Sequence, residues 1–239
     1  QLGIRPPYKR QIMFGLPNPQ VQCKMWGIYN GKNLDLKKTS DRVSAVKWYI
    51  ERILEEWKKK EYKYIQLSGF YWLHEQIDTH RLEDGTVIED AELVKGVQTY
   101  LTKLGYPLTW IPYLGASGVN RWKELGFDIA YQQPNYFFNL ETGIWAIEQG
   151  IATAKKYNMS LEMEFDNRIF NQGYGERFYT YLEEFEKAGA WNEFPIAYYE
   201  GGGAWLKMNT DYSPEIKEMV KALGDILVKR NGKFTKIKK

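Results

Sequence analysis

The chain has 239 residues, of which 44% are hydrophobic and 26% charged, so it is long enough to bury a substantial core as one globular domain. A net charge of +3 makes no case for a nucleic-acid partner. No apolar run reaches the roughly 18 residues a membrane span requires, and the single cysteine, Cys23, excludes an internal disulfide and a cysteine-based zinc site.

The chain opens QLGIRPPYKR, without an apolar h-region, so any signal peptide is expected to have been removed or never to have belonged to this sequence. Residues 11–17 form a short apolar strand ending at Pro17. After a long loop, Ser40 is the expected N-cap of a helix with Val43, Val46, Ile50, Ile53, Leu54 and Trp57 on one face. Residues 64–72 read as a strand. The next helix carries Leu93, Val94, Val97, Leu101 and Leu104 and stops at Gly105 and Pro107. The same unit then repeats. Strands are expected at 107–114 and 127–133, with a short helix at 119–126 between them. A helix over 142–157 turns Ile144, Ile147, Ile151 and Ala154 inward and ends at Asn158. Residues 159–166 are a strand, followed by a helix with Phe178, Tyr181, Leu182 and Phe185 on one face. A sixth strand at 195–199 precedes Ser213-Pro214, which opens a final helix with Ile216, Val220, Leu223 and Leu227 inward. Residues 229–239 hold six Lys or Arg and read as a solvated basic tail after that helix.

Six strand-then-helix units imply a parallel sheet covered by helices, either an open doubly wound sheet or a (β/α) barrel. No G-x-G-x-x-G and no G-x-x-x-x-G-K-[ST] is present, which turns the reading away from nucleotide-binding open sheets and toward the TIM-type barrel. No linker or shift in composition divides the chain, so a single domain over 1–239 is expected.

In such a fold the site forms at the strand C-terminal ends. Period-two alternation over 161–166 puts Glu162, Glu164 and Asp166 on one face and Leu161, Met163 and Phe165 on the other. Three charges on an inward face cost several kcal/mol each unless paired or solvated, which a functional site explains; an acidic face turned to solvent, or a structural ion-pair network, is the alternative. Glu75 follows an aromatic strand end and, with Glu164, would supply the two carboxyl groups that glycosidic hydrolysis needs; an ordinary loop glutamate is the alternative there. Asn135 or a tyrosine hydroxyl is the expected donor to Glu164. Aromatic residues make up 16% of the chain, and such rings serve either as core or as platforms for sugar rings. Trp72, Trp110, Tyr113, Tyr136 and Tyr199 are the candidate platforms, with His74, Gln133, Asn135, Glu162, Asp166 and Glu200 as polar substrate contacts. The sequence His74-Glu75-Gln76-Ile77-Asp78 breaks the zinc-protease pattern H-E-x-x-H, so no metal and no cofactor is expected.

The segments GFYWLHEQ (69–76), WIPYLGASG (110–118), GFDIAYQQPNYFF (126–138) and LEMEFD (161–166) together resemble a glycoside-hydrolase-like TIM-barrel family of secreted bacterial proteins, a domain of unknown function. The resemblance spans roughly residues 11–200 and implies a (β/α)₈ barrel, of which the six units here would be the last six. On that alignment the strand at 64–72 is the fourth and that at 159–166 the seventh, and Glu75 looks like the acid/base and Glu164 like the nucleophile of retaining barrel glycosidases. His74 stands where that group usually carries Asn. The resemblance further implies a secreted or cell-surface protein acting on an oligo- or polysaccharide. A barrel that binds a glycan without cleaving it, and a carbohydrate lyase using His74 or a tyrosine as base, are the competing readings.

Overall fold

The computed structural model describes residues 8–23 and 26–234. Residues 1–7 and the part of the basic stretch at 235–239 therefore lie outside the described residues. The chain gathers into two compact units, residues 1–130 and 131–239.

The first unit begins with strand β1 (Arg10–Leu16) and a hairpin of β2 (Ile28–Tyr29) and β3 (Lys32–Asn33). Its turn is Asn30-Gly31, both at positive φ, as a tight two-residue hairpin loop requires. Helix α1 (Thr39–Lys60) follows and buries Ala45, Val46 and Ile50 at helical spacing. Strand β4 (Ile65–Trp72) pairs with β1 in parallel, with a register shift between Ile12 and Met13. A second hairpin, β5 (Thr79–Arg81) with β6 (Val87–Glu89), leads into helix α2 (Asp90–Leu104). Gly105 ends α2 in the left-handed conformation, donating its N–H back to the last turn. Strand β7 (Leu108–Trp110), a 3₁₀ turn at 119–121 and the start of β8 (Ile129–Gln132) complete the unit.

Arg42 of α1 is fully buried and pairs with Asp90 of α2 at 2.7 Å. It also donates to the Pro19 carbonyl at 2.7 Å and to Asn18 Oδ1 at 2.8 Å, while Asn18 and His80 bond Asp90 in turn. A buried guanidinium satisfied on several sides ties two helices and the loop after β1 together. Removing either charge would leave the other unpaired in the interior.

The second unit runs through helix α3 (Trp145–Tyr157), β9 (Ser160–Asp166), a 3₁₀ turn at 167–170, and α4 (Tyr174–Lys187). The short helix α5 (Ala190–Glu193), strand β10 (Ile196–Gly201), and helices α6 (Ala204–Thr210) and α7 (Pro214–Phe234) follow. Phe165 packs edge-on against Phe178 of α4 and near Trp205 of α6, as the apolar half of the β9 alternation predicts.

The hydrogen-bonded strand order is β1-β4-β7-β8-β9-β10, with every pairing parallel. The six expected strands are present and alternate with helices. Among the described residues β1 and β10 each pair on one side only, so the ladder is open, as six units of an eight-unit barrel imply, and is not a closed TIM barrel. Closure of that barrel takes eight strands.

Several boundaries differ from expectation for local reasons. Ser40 lies inside α1 rather than capping it. The 107–114 strand shrinks to Leu108–Trp110, since Pro112 has no N–H for a ladder. The 119–126 helix is only a 3₁₀ turn, bracketed by left-handed Gly118 and Gly126. Ile144, expected inward, precedes α3 and is 45% exposed. The basic stretch begins inside α7, where Arg230 donates to the carbonyls of Trp191 and Phe194.

Candidate functional site

In the first unit the loop after β4 carries His74, Glu75 and Gln76. His74 Nε2 lies 2.7 Å from Asp78 Oδ2, and Gln76 donates to Asp78 Oδ1 at 2.7 Å. Tyr113 donates a short hydrogen bond to Gln76 Oε1, and Trp110 Nε1 donates to the His74 carbonyl at 2.8 Å. Glu75 sits between the two residues tied to Asp78. It is half-buried, and no described side chain or backbone group bonds its carboxylate.

A metal reading can be tested here, because ligand atoms of His74, Asp78 and Asp90 lie within 4.8 Å of one another. Asp90, however, already accepts from Asn18 and His80 and pairs with Arg42. A cation placed beside it would face that guanidinium, so the residues do not fit a metal.

In the second unit the site is built on β9. Glu164 is fully buried and Glu162 is 5% exposed. Glu164 Oε2 accepts a short hydrogen bond from the Tyr181 hydroxyl and another from the Tyr136 backbone N–H at 3.3 Å. Burial first, then the negative charge of Glu164, raise the Tyr181 phenol well above its ordinary pKa, so it remains a neutral donor. Arg177, one helical turn from Tyr181 on α4, donates to the carbonyls of Tyr136, Leu140 and Thr142 and stacks its guanidinium 3.6 Å from the centre of the Tyr136 ring. Burial lowers the Arg177 pKa. The guanidinium thus fixes the loop whose N–H reaches Glu164.

The register between β9 and β10 pairs Glu162 with Ala197, Glu164 with Tyr199 and Asp166 with Gly201. Paired residues of parallel strands share a face, so an exposed tyrosine stands beside the acidic row. Tyr199 is 47% exposed and meets Phe138 edge-on at 5.7 Å. Asp166 caps the following turn by accepting the Arg168 N–H at 2.8 Å, and its other oxygen lies 3.4 Å from the Arg168 guanidinium.

Of the five candidate platforms, Trp72 and Trp110 are fully buried and Tyr136 is 5% exposed, so these three rings are core. Trp110 stacks on Phe127 at 4.7 Å, which accounts for its face. Tyr113 is half-buried, and Tyr199 alone of the five presents a largely open ring. Gln133 is buried, whereas Asn135, at positive φ, and Glu200 are exposed. The donors to Glu164 are a tyrosine hydroxyl and a backbone N–H rather than Asn135. Glu200 instead accepts from the Trp205 N–H at 3.0 Å.

Sequence reasoning passed over Arg177, Arg168 and Phe138. An arginine one turn from an inward tyrosine on an otherwise apolar helix face was the available signal for Arg177. Residues 1–224 match the protein family described as Domain of unknown function (DUF4855), and no curated protein matches the chain.

Proposed function

The chain belongs to that domain family, and we propose that it is a carbohydrate-active protein that hydrolyses glycosidic bonds. The observation that supports this best is the acidic row of β9 beside an open aromatic ring: Glu164 enclosed, Asp166 part-exposed, Tyr199 at the rim. Hydrolysis of an acetal needs one ionised carboxylate to stabilise the developing oxocarbenium charge or activate water, and one protonated group for the leaving oxygen. Glu164 accepts the Tyr181 hydroxyl and the Tyr136 N–H at one oxygen, Oε2. In this reading it is the nucleophile or base.

The enclosure of Glu164 favours a second reading, a glycan-binding protein without cleavage, because a nucleophile must be reached by its substrate. A screen of soluble polysaccharides and aryl glycosides for new reducing ends separates the two. Under the hydrolase reading Glu164→Gln lowers turnover by orders of magnitude and leaves binding nearly intact. Near-normal turnover in that variant removes Glu164 from the mechanism. Binding of a glycan with no cleavage by the wild type assigns the second reading.

A further inference from the structure

The turn after β10 is Gly201-Gly202-Gly203, and each glycine has a physical reason. Gly202 and Gly203 have φ of 69° and 71°, a conformation that disfavours any side-chain-bearing residue. Gly201 is different, because its backbone would accept any residue. A Cβ there would lie 2.8 Å from Asp166 Cβ, 2.9 Å from Tyr199 Cε1 and 3.0 Å from the Tyr199 hydroxyl oxygen. The ring of Tyr199 therefore folds back over Gly201, directly beside Asp166. Phe138 braces it edge-on at 5.7 Å, and the Arg168 guanidinium lies 5.5 Å from the Phe138 ring centre. Despite these contacts Tyr199 keeps 47% of its surface open.

We infer that Tyr199, seated on Gly201, is the stacking platform of a pyranose subsite whose hydroxyls are read by Asp166 and Arg168; this rests on the carbohydrate reading above. The ring meets Gly201 by its Cε1–hydroxyl edge and keeps 47% of its surface open, and the C–H face of a pyranose stacks on an open aromatic face. At its edge stand one acceptor and one donor group. Asp166 keeps acceptor capacity beyond the Arg168 N–H and guanidinium. Arg168 has Nη1 near Asp166 and the Phe138 carbonyl, and the N–H groups of its fork not used there remain for a ligand. An acceptor and a donor side by side match two neighbouring sugar hydroxyls. Because the pair is internally neutral, a neutral pyranose fits better than a uronate or a sulfated sugar.

The test is binding of the full chain, by affinity gel electrophoresis, to soluble xylan, β-glucan, galactomannan and polygalacturonate, with calorimetry on the strongest ligand. At least one neutral polymer should bind. Tyr199→Ala should weaken that binding about tenfold or more, and Tyr199→Trp should retain or improve it. Gly201→Ala is the discriminating variant, since it deletes no group but forces the platform off its seat; assayed well below its own melting temperature, which the overpacking lowers, it should weaken binding to a similar extent. Arg168→Ala should reduce affinity several-fold. Failure of every neutral polymer to bind, preference for polygalacturonate, or full affinity in both Tyr199→Ala and Gly201→Ala overturns the subsite. A wild type that binds but never cleaves sinks the hydrolase reading and leaves the subsite standing. Cleavage that persists unchanged in Tyr199→Ala does the reverse.

Discussion

Burial of Glu164 is stable only because the residues around it supply what water would have. Tyr181 gives a hydroxyl, Tyr136 gives its N–H, and Arg177 holds the following peptide through the Tyr136 carbonyl. A buried acceptor stripped of a donor costs about 1–3 kcal/mol, more when charged. Tyr181→Phe keeps the ring and its contacts to Tyr136 and Phe185 while removing that one hydrogen bond. It should lower unfolding stability by about 2 kcal/mol in urea titration, and a change below roughly 0.5 kcal/mol would show that the hydroxyl carries little of the load. The acidic alternation at 162, 164 and 166 was legible in the sequence because strand period is local. Its partners were not. Tyr181 lies 17 residues from Glu164 on an apolar helix face, where a tyrosine reads as core, and its hydroxyl partner is set only when α4 folds back on β9.

Between elements, short polar ties recur. Glu51 of α1 accepts from Tyr29 of β2 at 2.9 and 3.0 Å and from Tyr100 of α2 at 2.9 Å, so one carboxylate joins a hairpin and two helices. Burial first, then the hydrogen bond and charge of Glu51, push the Tyr100 pKa up to about 12. A phenol whose pKa is raised by folding contributes stability that is complete below its unfolded value near 10 and is lost as pH rises through the folded value. The stability advantage of wild type over Tyr100→Phe should accordingly hold constant below about pH 10 and shrink toward pH 12. Guanidinium titrations at intervals across that range check it, and a gap that stays constant to pH 12 refutes the tie. A second tie binds the loop after β4: Ser117 exchanges hydrogen bonds with the Ile77 backbone, and left-handed Gly118 (φ 92°) would bring a Cβ within 2.5 Å of Ile77. Gly118→Ala combines backbone strain with overpacking and should cost about 2–3 kcal/mol, read as a drop in melting temperature. At this scale the long helices and strands were legible from periodicity. The two hairpins were missed because strands of two or three residues carry no period, although Asn30-Gly31 announces one of the turns.

Across the whole chain, alternation of strand and helix is a repeated local signal, so parallel pairing in sequence order could be read from it. That the ladder stays open was legible only by count, since six units fall two short of the eight that close such a barrel. The consequence is an open edge. Among the described residues β1 pairs only with β4, leaving one row of peptide groups of Arg10–Leu16 without a strand neighbour. Met13 on that strand is 42% exposed, and Phe14 lines a cavity of about 390 Å³ with Trp48 and Trp57 of α1 and Tyr62. An edge strand with apolar side chains invites pairing with another chain, and natural edges are commonly protected by an inward or flanking charge. Arg10 guards only the first position of β1. Met13→Lys places a charge mid-strand, where a second strand would have to desolvate it at a cost of several kcal/mol. Light scattering coupled to size exclusion should therefore show wild-type mass rising with protein concentration and the variant holding at the mass of one chain. If wild type remains monomeric at high concentration, or if Met13→Lys associates equally, β1 is not the route of self-association and its open edge is tolerated through the shortness of the strand alone.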